Sequence, residues 1–381
     1  MAVPDAPLLA VSGLGPVVGA DPAWSTQEVG VYLHVPFCAR RCDYCSFATW
    51  TDRSHLMARY LEAVGTELAR AVDRGLPAAA TVFVGGGTPS LVPATELASV
   101  LRAVPRAPDA EVTVECNPDD VTEELLDTYL EAGVTRISLG VQSMVPSVLT
   151  ALGRTHGVDN VVGAVELIRS RPFASWNVDV IYGGAGETLE EWRRTVAAVV
   201  ALEPPHVSAY ALTVEAGTPL AADASRHPDD DDQADKYQIV TDAFAEAGLE
   251  WYEISNWARP GHRCRHNELY WRQGDYLGVG CAAHSHLGGR RWWNHRTPER
   301  YLECVRAGRS AEGGFEVLDA TTRRIEGLQL ALRTTEGVPV DALPAEDVAT
   351  VLQGLVEPRH DRLVLTPAGR LLANDVAVRL R

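Results

Sequence analysis

Three cysteines, Cys38, Cys42 and Cys45, stand inside the seventeen-residue stretch VYLHVPFCARRCDYCSF at 31–47. A C-x3-C-x2-C run in a loop after a strand can wrap three corners of an iron–sulfur cube, and it differs from the ferredoxin runs that supply four thiolates. Zinc is the competing reading. A structural zinc site is closed and needs a fourth Cys or His. The other cysteines, Cys116, Cys264, Cys281 and Cys304, show no C-x2-C partner spacing, so His34, four residues before Cys38, is zinc's best fourth ligand. Three thiolates on a cubane leave one iron without a protein ligand. Such an iron can take a small molecule, which turns an electron carrier into a catalyst.

Other chemistry-bearing residues fall at the ends of apolar runs. TVFVGGGTPS places Gly85, Gly86 and Gly87 directly after a strand, where backbone groups can approach a ligand with no Cβ in the way. The same glycines would also serve a tight strand-to-helix turn. Glu115 in VECNPD, Gln142 in GVQS, Arg154 in LGRTH and Asp179 in NVDVIYGG stand at later strand ends. In a β/α barrel such side chains point into the functional mouth.

The elements that position them are legible as alternation. Strand-like runs at 29–35, 81–84, 111–115, 135–139, 176–181 and 206–212 are separated by amphipathic segments such as 54–72, 121–133 and 188–202. Six β–α units in succession imply a parallel sheet curved toward a barrel but open on one side, an α/β fold of open, three-quarter (β/α)6 type. The barrel is expected over 29–225, after an N-terminal extension at 1–28. A connecting region follows at 226–312. Residues 313–381, where RLVLTPAGRLLANDVAVRL closes the chain, are expected to form a smaller, mostly helical, winged-helix-like domain. SRHPDDDDQADK at 225–236 reads as a solvated loop or helix start that cannot join a core. A length of 381 residues suits one large α/β unit with an appendage. Seven unevenly placed cysteines read as reduced thiols or metal ligands rather than a disulfide framework. The apolar stretch 8–18 lacks a basic flank and is too short and broken to span a bilayer, so a soluble, cytoplasmic protein is expected.

The cysteine stretch resembles the radical S-adenosylmethionine (SAM) superfamily, whose hallmark is this C-x3-C-x2-C run. The resemblance implies a [4Fe-4S] cluster on Cys38, Cys42 and Cys45, with the amino and carboxylate groups of SAM chelating the open iron. It also implies that reduction can cleave SAM to a 5′-deoxyadenosyl radical. Over nearly the whole chain, YLHVPFC, GGGTPS, ECNPD, GVQS, LGRTH, SAYALTVEAGTPL and YEISNWA are similar to the group that unites coproporphyrinogen dehydrogenase (HemN) with HemW. Carried over by motif, the SAM contacts are Tyr32, Tyr44, Gly86, Gly87, Thr88, Glu115, Gln142, Arg154 and Asp179. The decarboxylating branch has a further cysteine two residues after the third. Here that position is Phe47, and RHNELYW at 265–271 matches the H-N-x-x-Y-W motif of the HemW branch. The resemblance therefore implies a haem chaperone with His266, Asn267, Tyr270 and Trp271 at the haem. Its alternative is an oxygen-independent coproporphyrinogen III oxidase that decarboxylates its substrate to protoporphyrinogen IX. Acceptor haemoproteins, membrane-bound respiratory proteins among them, transient membrane association and a homodimer are expectations of the resemblance alone.

A physical reading of the same region agrees. Residues 257–300 hold eight arginines against three acidic side chains, a local +5 in a chain of −17, with five of the eleven histidines and four of the nine tryptophans. Arginine forks suit haem propionates, aromatic rings suit the porphyrin plane, and neutral imidazole suits the iron. His266 is the first choice of axial ligand or attachment point, with His284 and His286 in reserve. If RHNELYW is helical, His266 and Tyr270 share one face at i, i+4. The bland alternative is a set of structural histidines beside a solvated basic rim. A basic, aromatic patch also suits single-stranded nucleic acid, but the acidic remainder would repel a long phosphate backbone, so no nucleic-acid partner is expected.

Overall fold

The computed structural model describes Trp24 and residues 28–381. The apolar stretch at 8–18, and the expected extension apart from Trp24 and Glu28, lie outside the described residues. Strands and helices then alternate: β1 (Val29–Val35), α1 (Met57–Asp73), β2 (Ala79–Gly86), α2 (Ala94–Ala103), β3 (Arg106–Cys116), α3 (Glu123–Glu131), β4 (Arg136–Gln142), α4 (Pro146–Ala151), α5 (Val158–Arg169), β5 (Ser175–Tyr182), α6 (Leu189–Ala201) and β6 (His206–Ala211). The six strands are parallel and lie side by side in chain order.

Strand periodicity of two divides their side chains into two sets. Val31, Leu33, Val82, Val84, Val112, Val114, Ile137, Leu139, Val178, Val180 and Val207 are buried in one continuous core with Leu68 of α1, Leu101 of α2, Leu126 of α3, Ile168 of α5 and Val199 of α6. Each such side chain, once buried, contributes about 1.5–3 kcal/mol. The alternate positions face the barrel interior and are mostly polar: Tyr32, His34, Thr81, Thr113, Glu115, Arg136, Ser138, Asn177, Asp179, His206, Ser208 and Tyr210. A polar inner face under an apolar outer one suits a barrel whose lumen holds a site.

The barrel does not close. Beyond β6 lies an antiparallel hairpin, β7 (Glu250–Glu253) and β8 (Asn256–Ala258), reached through α7 (Asp230–Glu246). On the other side, α8 (Arg265–Trp271) leads to β9 (Asp275–Val279), which pairs parallel to β1. The sequence pattern did not foresee this seventh parallel strand. Then β10 (His284–Leu287), β11 (Arg290–Asn294), α9 (Pro298–Arg306) and β12 (Glu312–Val317) follow, and the sheet order is β12-β11-β10-β9-β1-β2-β3-β4-β5-β6-β8-β7.

Two expectations need correction. The acidic stretch 225–236 does start a helix, with the Asp229 side chain accepting from Asp232 N–H, but it also enters the core. Lys236 is fully buried, its Nζ 3.3 Å from Glu187 and donating to Asp232. Two carboxylates neutralise the cation, which is what makes its burial tolerable. Secondly, the domain break expected at 312/313 falls inside β12, the outermost strand of the large sheet. The second core begins with α10 (Ala320–Leu332) and gathers Leu332, Val338, Leu343, Leu352, Leu363, Leu365 and Val376. As expected it is mostly helical, and it adds a small sheet: β13 (Val338–Pro339), α11 (Ala345–Ala349), then the hairpin of β14 (Val356–Arg359) and β15 (Arg362–Leu365), in sheet order β13-β15-β14. Thr366 caps α12 (Pro367–Leu371) through Gly369 N–H, as a Thr-Pro start requires, and the helix breaks at Leu372 before α13 (Ala373–Ala377). Among the described residues no helix is long and apolar enough to cross a membrane.

Candidate functional site

The cysteine run forms a loop at the carboxyl end of β1, closed at its base by backbone bonds. Cys38 N–H donates to Trp50 O at 3.1 Å, and Trp50 N–H to Pro36 O at 2.8 Å. All three cysteines are half-buried free thiols. Burial is the main cause raising the thiol pKa values of Cys38 and Cys45, the latter to about 11. The bare loop thus holds these two as thiols, and a bound cationic metal would supply the charge that makes them thiolates. Arg154 Nη1 lies 3.7 Å from Cys42 Sγ, while its Nη2 donates to Asn117 Oδ1 and Gly140 O at 2.9 and 3.0 Å. One guanidinium therefore ties the loop to the ends of β3 and β4, poised to balance a thiolate-rich cluster. Tyr44 inserts beside Val148, Leu152, Ile181 and Leu212, where burial raises its phenol pKa. Asp43 is held by Arg226 at 2.9 Å. Phe47 is 43% exposed.

His34 does not present itself as a zinc ligand. Its Nε2 lies 3.0 Å from Ala48 O, which can only accept, so Nε2 carries the proton. Nδ1 then accepts from Tyr32 O–H at 3.1 Å. Both nitrogens are spent, and burial lowers the pKa to about 4. Among the described residues no three His, Cys, Asp or Glu side chains gather to hold a single metal ion. Three separate thiols on one anchored loop fit a multi-iron cluster better.

The strand ends arrange the remaining predicted residues around this loop. The glycine turn is partly a packing device: a Cβ on Gly87 would lie 2.5 Å from Phe37 O, and one on Gly86 2.4 Å from the His34 ring. Gly87 N–H donates to Val35 O and Thr88 N–H to Phe37 O. Gly86 N–H donates to Glu115 Oε2 at 3.2 Å. Glu115 is raised to about 7, first by burial and then by Asp179. Burial also raises Asp179, which accepts from Ser138 and Asn177 at 2.8 and 2.9 Å. Gln142 sits at a register shift between β4 and β5 with φ 65°, a conformation costly for a non-glycine residue and found where a side chain is re-aimed. Reasoning from sequence missed Asn117, which accepts from Arg154, and Tyr210, whose phenol pKa is raised by burial and then by Asp179. Strict alternation along SAYAL would have placed Tyr210 in the lumen with His206 and Ser208.

The histidine motif lies elsewhere in the barrel. RHNELYW is helix α8, and it packs against β2 near the strand's beginning, on the barrel floor. His266 and Tyr270 do share a face, with Nε2 2.8 Å from the phenol oxygen. That face points inward. His266 Nδ1 lies 2.8 Å from Thr81 Oγ1, its ring stacks 5.3 Å from Phe83, and it is 1% exposed. Burial lowers its pKa to about 3. In this conformation His266 offers no free nitrogen to an iron. Trp271 is buried 5.7 Å from the Tyr252 ring, and Asn267 is half-buried. His286 is buried, with Nδ1 3.0 Å from Gly274 O. His284 is exposed, 5.8 Å from Trp293, and close enough to His34 to depress its basicity.

The local +5 is not a free basic surface. Arg263 pairs with Glu268, Arg265 with Asp109 and Glu28, Arg272 with Glu336, Arg290 with Glu312, Arg291 with Glu316 and Glu326, and Arg300 with Glu303. Most of these carboxylates come from outside 257–300, where a window count cannot see them.

Comparison with known proteins places the arrangement. The radical SAM superfamily model matches residues 32–199, from β1 into α6. The haem chaperone HemW of Mycobacterium tuberculosis (strain ATCC 25618 / H37Rv) is 42% identical over 380 residues, covering 96% of each chain. HemW of Escherichia coli K12 is 32% identical over 368 residues, covering 91% of this chain and 97% of that one. Among solved structures, coproporphyrinogen III oxidase (HemN) of Escherichia coli superposes with a TM-score of 0.79 at 22% identity, over 92% of this chain and 89% of that one. At that identity the likeness is one of fold. The open barrel, the three-thiol loop and near-full-length identity together establish that the chain belongs to the HemW family of the radical SAM superfamily.

Proposed function

We propose that this protein is a haem chaperone: it binds haem, carries a [4Fe-4S] cluster with SAM at its open iron, and passes haem to acceptor haemoproteins. The observation that carries this reading is the anchored loop with three thiols and Phe47 where a fourth cysteine would stand, in a chain that matches haem chaperones along 96% of its length. Cys38, Cys42 and Cys45 would hold the cluster. Gly86, Gly87, Thr88, Glu115, Gln142, Arg154 and Asp179, with Tyr32 and Tyr44, would hold SAM beside it. The cluster supplies one-electron chemistry and a coordination position for SAM. The chain's own part is to fix the loop, balance its charge through Arg154, and line the lumen with acceptors. Haem ligation by His266 requires α8 to release Thr81 and Tyr270. Cytoplasmic location, a homodimer and membrane-bound acceptors belong to this proposal.

The test is anaerobic incubation of the reconstituted protein with SAM, a reductant and coproporphyrinogen III. The tetrapyrrole should be recovered unchanged. Formation of protoporphyrinogen IX would transfer the assignment to the decarboxylating branch.

A further inference from the structure

The helix that carries His266 has a second face, turned away from the lumen. Glu268, Trp271 and Arg272, at i, i+3 and i+4, line a cleft between α8 and the end of α10 with the turn that follows it, together with Tyr252, Arg263 and Glu336. Its composition is unusual: two arginines, two aromatic rings and two carboxylates around about 290 Å3 of space, part of it open to solvent. Little of that space is clear of side chains, so a ligand group enters only where one of the resident charge pairs gives way.

The charges are arranged for exchange. Arg272 donates to Glu336 through Nη2 at 2.6 Å and Nε at 3.1 Å. Arg263 Nη1 and Arg272 Nη2 stand 3.7 and 3.9 Å from the same Glu268 oxygen. The Arg263 guanidinium also lies 5.2 Å over the Tyr252 ring. Burial raises the pKa of Glu268, so this carboxylate is poorly solvated where it stands. Two arginine forks are therefore occupied by the protein's own carboxylates beside buried aromatic rings. A carboxylate-bearing planar ligand could offer the same contacts and displace them. The bridge closes the second core over α8, and Thr335 N–H also donates to Tyr252 O at 3.1 Å.

We propose that this cleft is the carboxylate subsite for a planar, carboxylate-bearing tetrapyrrole, with Arg263 and Arg272 as its forks and Glu336 as the resident group that the ligand's carboxylate replaces. The inference rests on the haem-binding reading above and deepens it. It assigns the propionate edge to the outer face of α8, while His266 occupies the inner one. Ligand entry then opens the Arg272–Glu336 bridge and loosens the contact that holds α8 closed.

Arg272→Gln and Glu336→Gln break the same bridge, so a merely structural role predicts the same direction of effect for both. As a subsite, the cleft requires opposite directions. Titrations with haem and with metal-free protoporphyrin IX should show affinity on the order of tenfold weaker in Arg272→Gln and in Arg263→Gln, the loss of a charge-assisted fork. In Glu336→Gln affinity should be up to about fivefold tighter, as a competing exposed bridge is removed. Protoporphyrin IX dimethyl ester, which lacks the carboxylates, should bind all three variants and the parent alike. Arginine variants that bind both acids as the parent does, or Gln variants that shift together, overturn the subsite while leaving haem binding intact. If the parent protein binds no haem at all, the chaperone reading itself fails, and that outcome is read from the parent titration alone.

Discussion

At the residue scale, Cys38, Cys42 and Cys45 could be proposed from sequence as cluster ligands because all three thiols lie on one short loop at the end of β1. Cys38→Ser should abolish cluster iron in the anaerobically reconstituted protein while circular dichroism stays unchanged, since the half-buried thiol supports no core packing. Retention of the parent's iron content would show that the ligands are misassigned. Glu115 was also legible as a strand-end carboxylate, but its protonation was not, because Asp179 and the barrel wall that desolvates it come from other strands. Its pKa in the folded protein, about 7 against an ordinary 4.5, means that the folded state binds the proton more tightly than the unfolded one. That contribution is fully present below pH 4.5 and is lost as pH rises through 7, at about 1.4 kcal/mol per unit. Glu115→Gln mimics the protonated acid. Chemical denaturation of the metal-free protein should therefore find this variant more stable than the parent by about 3 kcal/mol at pH 8, and equal to it at pH 4. Parallel stability curves across that range would contradict the raised pKa.

At the element scale, helical periodicity put His266 and Tyr270 on one face but could not say which way the face turns. That depends on Thr81, 185 residues away. The consequence is a stability role that precedes any role in binding. His266→Ala empties a buried site and strands the Thr81 and Tyr270 hydroxyls, so it should cost about 2–4 kcal/mol in urea denaturation without haem present. A loss below 0.5 kcal/mol would mean that α8 does not pack as described. The acidic stretch before α7 shows the converse limit: composition marked it as solvated, yet its Lys236 is fully buried between Glu187 and Asp232. Lys236→Ala leaves Glu187 buried without its cation, and a loss of about 3–5 kcal/mol is expected by the same measurement. The six barrel strands were easier to read because each is a short apolar run bounded by turn residues. The strands of the second domain and β9 are short or mixed, and pairing rather than pattern decides them.

At the scale of the whole molecule, the polar lumen, the cysteine loop at one end of the barrel and helix α8 at its floor divide the work. In the proposal made above, SAM chemistry belongs to the mouth, and the tetrapyrrole to the region where α8 meets the second domain. Net charge misled in one respect. The local +5 within a chain of −17 looks like an open basic surface in sequence, but at least six of its eight arginines are already paired in the fold. The most direct test is a haem titration of the anaerobically reconstituted protein followed in the Soret region. A chaperone should show a saturable bound spectrum at about one haem per chain, whereas a titration indistinguishable from haem in buffer would contradict the account.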